Sequence, residues 1–410
     1  MSPPTTEQSD STAQPKHFED VDWEHQTGSE RWVSRSTWLF LLGFAGLAVG
    51  FYHEHVAGNT LPMIANLEPL DWLFAGSVLT VLAFVVAPLV REPAAAKRHW
   101  ARLQQSPAGF LSLVFVVAFV AAGIAAPVLV SEPTGIAFDR ASQPPVGLSV
   151  ETVHLFTPSS CVGDVANGRC HGTLQYPAGT TSTGKDLLPF LLLGAHTALL
   201  VAVVSATLLV PTGIAVGLLA AYAGGRVDEG LMRAAGVSQT VPAIIVYLLF
   251  WWWNGEYRLL VLILVFGLTN WGGLARLVRN EAIQLRDRPF VKAARATGAT
   301  RLDVMRQHLL PNIAQPVLTN VTLQIPLLVV TEAALSFIVL PSPFDGEMVT
   351  LGDPTVVSWG QTISLGTAKG GVAPEWWVAA IPGALLVGTM LAFALLGRTL
   401  GEAVTPQTDN

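Results

Sequence analysis

Eight apolar runs of about 17 to 34 residues constrain this chain more than any other feature, because a run of roughly 20 such residues crosses a bilayer only as a helix. They fall at about 36–52, 72–90, 109–130, 188–221, 235–253, 258–279, 314–340 and 376–397. The first is short for a span, and the fourth and seventh are long enough to tilt or to run on beyond the hydrocarbon. Composition agrees: 51% of residues are hydrophobic and only 13% charged, against about a quarter charged in ordinary soluble domains. The expected fold class is an all-α polytopic membrane protein with about eight transmembrane helices.

Cation placement orients the spans, since Lys and Arg are retained on the cytoplasmic side. With both termini inside, all but five of the 23 Lys and Arg residues fall on inner segments. The outer five are Arg140, Arg169, Lys185, Arg258 and Lys369. The inner loop after the second span carries Arg91, Lys97, Arg98 and Arg102, whereas the outer loops at 53–71 and 341–375 are acid-rich. Residues 1–35 are polar, acidic and rich in Ser, Thr and Gln, the composition of a disordered tail. No basic segment, short apolar run and small-residue cleavage site open the chain, so the first span is expected to be retained.

Within this apolar chain lies a polar island, EAIQLRDRPFVKAARATGATRLDVMRQHLLPN, from Glu281 to Asn312, with Arg286, Arg288, Lys292, Arg295, Arg301 and Arg306. Local signals punctuate it as two short helices. Asp287 and Pro289 suit the start of the first and Gly298 its left-handed end. Thr300 and Asp303 form an acidic variant of the capping box that opens the second, and Pro311 is expected to stop it. A basic helix–Gly–helix element between spans reads as a docking platform for a cytoplasmic partner; the plainer alternative is a solvated loop that obeys the positive-inside rule.

Lys292-Ala293-Ala294, Gly298 and Leu310-Pro311 resemble, in sequence and spacing, the EAA loop of ABC-importer permeases. Leu310-Pro311-Asn312 and then Thr331-Glu332-Ala333-Ala334-Leu335-Ser336-Phe337 look like the second permease subunit of dipeptide and oligopeptide importers, in the peptide and nickel branch. Upstream, Gly179-Thr180, Gly184-Lys185-Asp186 and Gly194-Ala195 are similar to that subunit's G-T-D-x-x-G-R-D…G-A-R stretch. The resemblance covers roughly residues 108–405, with 131–187 as an external loop and 281–312 as the coupling loop. It implies a six-helix permease core to which residues 36–107 add a transmembrane hairpin and a basic loop; residues 406–410 form a tail. No motif assigns the hairpin a role, and packing or partner binding are its two readings.

The resemblance implies half of a membrane pathway for peptides or similar small solutes, in the plasma membrane. Its implied partners are a second permease, two ATPase subunits that carry ATP and Mg, and an external solute-binding protein. Lys292, Ala293, Ala294, Arg295, Gly298, Leu310 and Pro311 would couple the spans to the ATPases. Two departures matter: Lys292 stands where the family has Glu, and Thr181 where it has Asp. This chain is expected to bind no cofactor, metal or nucleic acid and to catalyse nothing. Nickel import by the same family is the near alternative; an ion-coupled secondary transporter or a membrane hydrolase would need buried charges or paired carboxylates that the spans lack.

Six further features bear on the reading. GTTSTGKD, from Gly179 to Asp186, nearly matches a phosphate-binding loop, but Asp186 stands where a hydroxyl should follow the lysine and no buried strand precedes it. Glu332, the one carboxylate well inside a span, lines a translocation path or fixes a helix contact. Cys161 and Cys170 are the two cysteines and share the external loop, where a disulfide or, with His171, metal binding comes into question. His53 and His55 lie at the outer edge of the first span and read as interfacial. Pro211, Pro242 and Pro326 interrupt apolar runs as hinges or packing kinks, and Trp251, Trp252 and Trp253 form an interfacial anchor.

Overall fold

The structure is a computed structural model that describes residues 35–57, 67–91, 93–157, 159–253, 257–286, 288–300, 303–341, 348–367 and 375–404. It is almost wholly helical. Among the described residues seven helical stretches are long and apolar enough to span a membrane, and a bent pair makes an eighth. The sequence expectations for residues 1–34, Asp287, Arg301, Lys369 and 406–410 lie outside the described residues, as do those for the side chains of Trp251 to Trp253.

The first two spans form a hairpin. Helix α1 (Arg35–Phe51) runs on through a π-turn at Tyr52–Val56, and α2 (Pro69–Val81) continues through a second π-turn into α3 (Ala87–Arg91). Glycine lets the two helices approach closely. A Cβ at Gly50 would stand 2.5 Å from the Trp72 ring, and one at Gly43 would stand 2.9 Å from Leu79. Glu54 closes the tip, accepting from Trp72 Nε1 and from the Leu67 backbone N–H, each at 3.1 Å. Through α2 the hairpin packs on the central helix, with Leu70 buried against Leu200 and Val201. The opposite face of α1 leaves Trp38, Leu39 and Leu42 more than half exposed, which suits contact with lipid.

An amphipathic helix α4 (Pro93–Gln105) then leads into the third span, α5 (Pro107–Leu129), whose start is capped by Ser106. The centre of the body is α6 (Leu187–Ala223), 37 residues long, or about 55 Å at 1.5 Å per residue. It packs against α5, α9 (Arg258–Thr269), α10 (Trp271–Arg286) and α12 (Leu310–Phe337). Small residues on α6 set the closest contact: Gly213 and Gly217 take Leu274 and Val278 of α10 against bare backbone. The last span, α14 (Trp377–Val404), packs on α5 and α12.

The fifth span departs from the sequence expectation. Residues 235–253 do not form one helix: α7 (Gly225–Thr240) and α8 (Ala243–Trp253) meet at a 70° bend. Pro242 lies at the break and has no N–H to continue the ladder. Pro211 and Pro326, by contrast, lie inside continuous helices.

The loop of residues 131–187 holds a small three-stranded antiparallel sheet, β1 (Ser149–Glu151), β2 (Val165–Ala166) and β3 (Arg169–His171), in the order β1-β3-β2. After α12 a short hairpin of β4 (Val339–Pro341) and β5 (Met348–Thr350) leads to a nine-residue helix, α13 (Trp359–Thr367), between the last two spans.

Candidate functional site

The polar island folds as a platform at the opposite end of the body from this loop. Pro289 opens α11 (Pro289–Ala296), and the helix ends where Gly298 takes φ +91°. The Gly298 N–H bonds the Arg295 carbonyl at 3.1 Å, and the Ala299 N–H bonds that of Ala294 at 3.0 Å. Thr300 and Asp303 then cap each other, the Thr300 N–H reaching Asp303 Oδ2 at 3.1 Å and the Asp303 N–H reaching Thr300 Oγ1 at 3.3 Å.

Pro311 does not stop the second helix. Val304–Leu309 is a π-turn that passes directly into α12, with Pro311 in its first turn. The wider turn accommodates a residue that donates no hydrogen bond, so the platform and the span share one continuous helical path. This is the stiffest link between them.

The platform is seated on the body by apolar contacts and by arginines. Val291 and Val304 are fully buried with Leu274, Val278 and Ala282 of α10, Leu218 and Ala221 of α6, and Ile313 of α12. Arg286 Nη1 donates to the Ala221 carbonyl at 3.1 Å, and the Arg295 guanidinium lies 5.6 Å from the Tyr222 ring centroid. Arg279 forms a two-pronged ion pair with Asp228 of α7, at 2.5 Å for each contact. Three spans therefore converge on the two short helices. The outward face is left to Phe290, Lys292, Ala293, Arg295 and Gly298, all exposed, and Ala294 is half-buried. Among the described residues nothing lies within 4 Å of a Cβ built at Gly298. Leu310 is 38% exposed at the head of α12. The structure thus brings the sequence-read platform residues onto one small, rigid surface.

At the other end the glycine motif is a keystone. Gly179 and Gly184 both take positive φ, at +80° and +78°. A Cβ at Gly184 would stand 1.8 Å from the Ala137 carbonyl oxygen, and one at Gly179 would collide with Trp377. The backbone amides here are used internally: Thr181 N–H bonds the Lys185 carbonyl, Gly184 N–H that of Thr181 and Leu187 N–H that of Gly179. A phosphate loop must leave its N–H groups free for the ligand, so the near-match to that motif is a capping turn for α6. Asp186 completes it, accepting from the Leu188 N–H at 3.0 Å. Its carboxyl is held above the usual range by burial, an effect this backbone bond partly opposes.

Two tryptophans lock this end. Trp377 Nε1 donates to the Thr180 carbonyl at 3.1 Å and Trp359 Nε1 to that of Leu191 at 2.9 Å, the latter over Gly194. Glu332 is 3% exposed. It accepts from Ser336 Oγ at 2.7 Å and is also hydrogen-bonded by Ser358. Next to it, Gly360 approaches so closely that a Cβ would stand 1.8 Å from the Ala333 carbonyl. Glu332 therefore fastens the 350–367 segment to α12 and has its acceptors turned into the protein. The motif from Thr331 to Phe337 gives no hint of α13 or Ser358, because both lie farther along the chain and meet it only in the fold.

Cys161 and Cys170 are joined, with Cα atoms 5.7 Å apart, and Cys170 is fully buried beside Val150 and Leu155. His171 is exposed on the edge of β3. His55 stacks on Phe51 at 4.7 Å between ring centroids. Among the described residues no three His, Cys, Asp or Glu side chains are grouped to hold a metal.

A multi-pass helical body, locked at one end by a looped cap and ending at the other in an exposed basic platform, is that of a membrane transport permease. Residues 213–409 match the family described as binding-protein-dependent transport system inner membrane component. The chain is 31% identical over 233 residues to the dipeptide transport system permease protein DppC of Bacillus subtilis, a match covering 56% of this chain and 68% of that one. It is 30% identical over 229 residues to the oligopeptide transport system permease protein OppC of Haemophilus influenzae, covering 56% and 70%. With OppC of Escherichia coli K12 the identity is 29% over 229 residues, covering 56% and 72%. The chain belongs to this family of inner-membrane permeases of ABC importers, and is a transport subunit, not an enzyme.

Proposed function

We propose that this chain forms one half of the membrane pathway of an ATP-driven importer of peptides, and that α11 transmits the motion of cytoplasmic ATPases to the spans. The observation that carries the proposal is the platform: its outward face is exposed, while its inward face is tied to α6, α10 and α12. A push on Phe290, Ala293 and Gly298 would reach three spans through the buried side chains of Val291 and Val304. Lys292 makes no ion pair among the described residues, so its partner would be an acidic side chain on the ATPase surface.

This assignment places the platform and both termini in the cytoplasm, and the 131–187 loop with α13 on the outer face. There the disulfide and the Trp359 and Trp377 locks would make a firm surface to receive a solute-binding protein. ATP and Mg would be held by the ATPases alone. A second permease, a different chain of related fold, would complete the pathway. On this reading residues 108–405 are the permease domain, and the hairpin of 36–107 is an addition packed on it through α2. Peptide as the cargo is supported by the names of the relatives; nickel belongs to the same branch.

The test is uptake into proteoliposomes containing this chain, its co-purifying permease and ATPases, and the binding protein. Labelled di- and tripeptides should accumulate with ATP while nickel ions do not. Accumulation of nickel without peptide would overturn the cargo assignment.

A further inference from the structure

Three helices place polar groups around Gly273, in the half of the body nearer the platform. Arg276 of α10 donates from Nη1 to Gln239 Oε1 of α7 at 2.8 Å, its one hydrogen bond among the described residues. Gly236 makes room for the guanidinium, since a Cβ there would stand 3.0 Å from Nη2. The amide nitrogens of Gln239 and of Gln324, on α12, converge on Gly273, at 2.7 and 3.9 Å from where its Cβ would be. Asn320 lies one turn before Gln324 on the same face. The buried acceptors Asn320 Oδ1 and Gln324 Oε1 have no hydrogen-bond partner among the described residues.

This cluster is not part of the platform. Arg276 lies ten residues before Arg286, about 15 Å along the helix, inside the span Arg258–Arg286. Yet Arg276 and Gln239 are exposed on the surface of the chain. An arginine–glutamine pair turned to lipid within a span is disfavoured; such groups face water-filled cavities or protein. The chemistry of the cluster is one-sided in charge. Among the described residues it offers a guanidinium and two amide nitrogens with no carboxylate, which suits a carboxylate with its flanking carbonyl, while the two unpartnered amide oxygens suit a peptide N–H.

Resting on the peptide assignment above, we infer that Arg276, Gln239 and Gln324 line the aqueous pathway and form a subsite for the C-terminal carboxylate of a passing peptide. The guanidinium takes the carboxylate, and the amide nitrogens take the last backbone carbonyl. The site holds the solute loosely, through one charged contact, as a conducting path requires.

The test uses the assembled importer with Arg276→Cys or Gln324→Cys. Both cysteines of this chain are consumed in the disulfide, so within this chain, read separately by mass, the introduced thiol is the reactive one. A water-soluble, membrane-impermeant thiosulfonate should modify it, and a free-carboxylate dipeptide should slow that reaction while its C-terminal amide does not. An unreactive thiol in the assembled importer would overturn the inference and make the cluster a protein contact. Equal protection by the amide would overturn the carboxylate assignment. In uptake, Arg276→Gln should lose roughly tenfold of the preference for free-carboxylate dipeptide over its amide, with Arg276→Lys recovering part of it. The binding protein is the same in every strain, so the difference belongs to the permease. If the wild type moves peptide and Arg276→Gln keeps the same preference, this site fails alone. If the wild type moves no peptide, the cargo assignment fails and takes this one with it.

Discussion

Glu332 shows how little a residue's chemistry decides by itself. A carboxylate inside a span reads equally as a path-lining group or a helix contact, and the deciding facts are Ser336 Oγ at 2.7 Å and the approach of Ser358 and Gly360. Replacing it with Ala leaves two buried hydroxyls short of an acceptor, at a cost of about 1–3 kcal/mol. Glu332→Gln retains an acceptor and should cost less. Thermal unfolding in detergent ranks the variants, and a Gln variant with wild-type stability but no uptake would restore the path-lining role. Asp186 makes a second residue-scale prediction. Its folded carboxyl binds a proton more tightly than the unfolded one because it is partly buried. The stability it contributes is therefore present at low pH and lost as pH rises through its raised folded pKa. Asp186→Asn keeps an oxygen for the Leu188 N–H, so it should equal wild type in acid and exceed it at neutral pH. Asp186→Ala should fall below both, since the cap is gone.

At the scale of elements, the spans and the platform were largely legible because their signals are local. Apolar length marks a span, Pro289 and Gly298 bound a helix, and the Thr300–Asp303 pair opens the next. What was not legible depends on contacts between distant segments. Pro311 looked like a terminator because a proline's missing donor is a local fact, whereas the π-turn that absorbs it is set by Val304 and Leu309 packing into the core. The 70° bend at Pro242 and the straight passage through Pro211 and Pro326 follow the same rule: neighbouring helices decide what a proline does. Arg276 is not legible as a site because it lies near the expected inner end of a span, and its convergence with Gln239 and Gln324 exists only in three dimensions. The disulfide makes an element-scale prediction. Closing a loop of nine intervals between Cys161 and Cys170 stabilises by roughly 2–3 kcal/mol in a chain-entropy account. Reduction should open the 149–171 sheet to protease while leaving the membrane spans folded; equal loss in the spans would mean the loop supports the whole body.

For the whole molecule, the arrangement is a column between two surfaces. α6 runs about 55 Å, from the turn capped by Asp186 to Tyr222 beneath Arg295. The loop end is held by two tryptophans and a carboxylate and the platform end by arginines, and the bent pair α7–α8 is held to the same body by Arg279–Asp228 and by Tyr247, whose hydroxyl donates to the Leu351 carbonyl. The first hairpin packs on this column through α2 and leaves α1 to the lipid, a placement that suits stabilisation.

The central claim is that the platform couples this permease to ATPases, and a tagged chain purified from its host in mild detergent tests it most directly. Gly298 is the residue to change: its φ of +91° disfavours any side chain, by about 1–2 kcal/mol, while nothing among the described residues lies within 4 Å of its Cβ. Gly298→Asp should leave expression, membrane insertion and the recovered second permease intact, while the ATPases that accompany the wild type are lost. Recovery of the same ATPases with both chains, or of none with the wild type, would contradict the account.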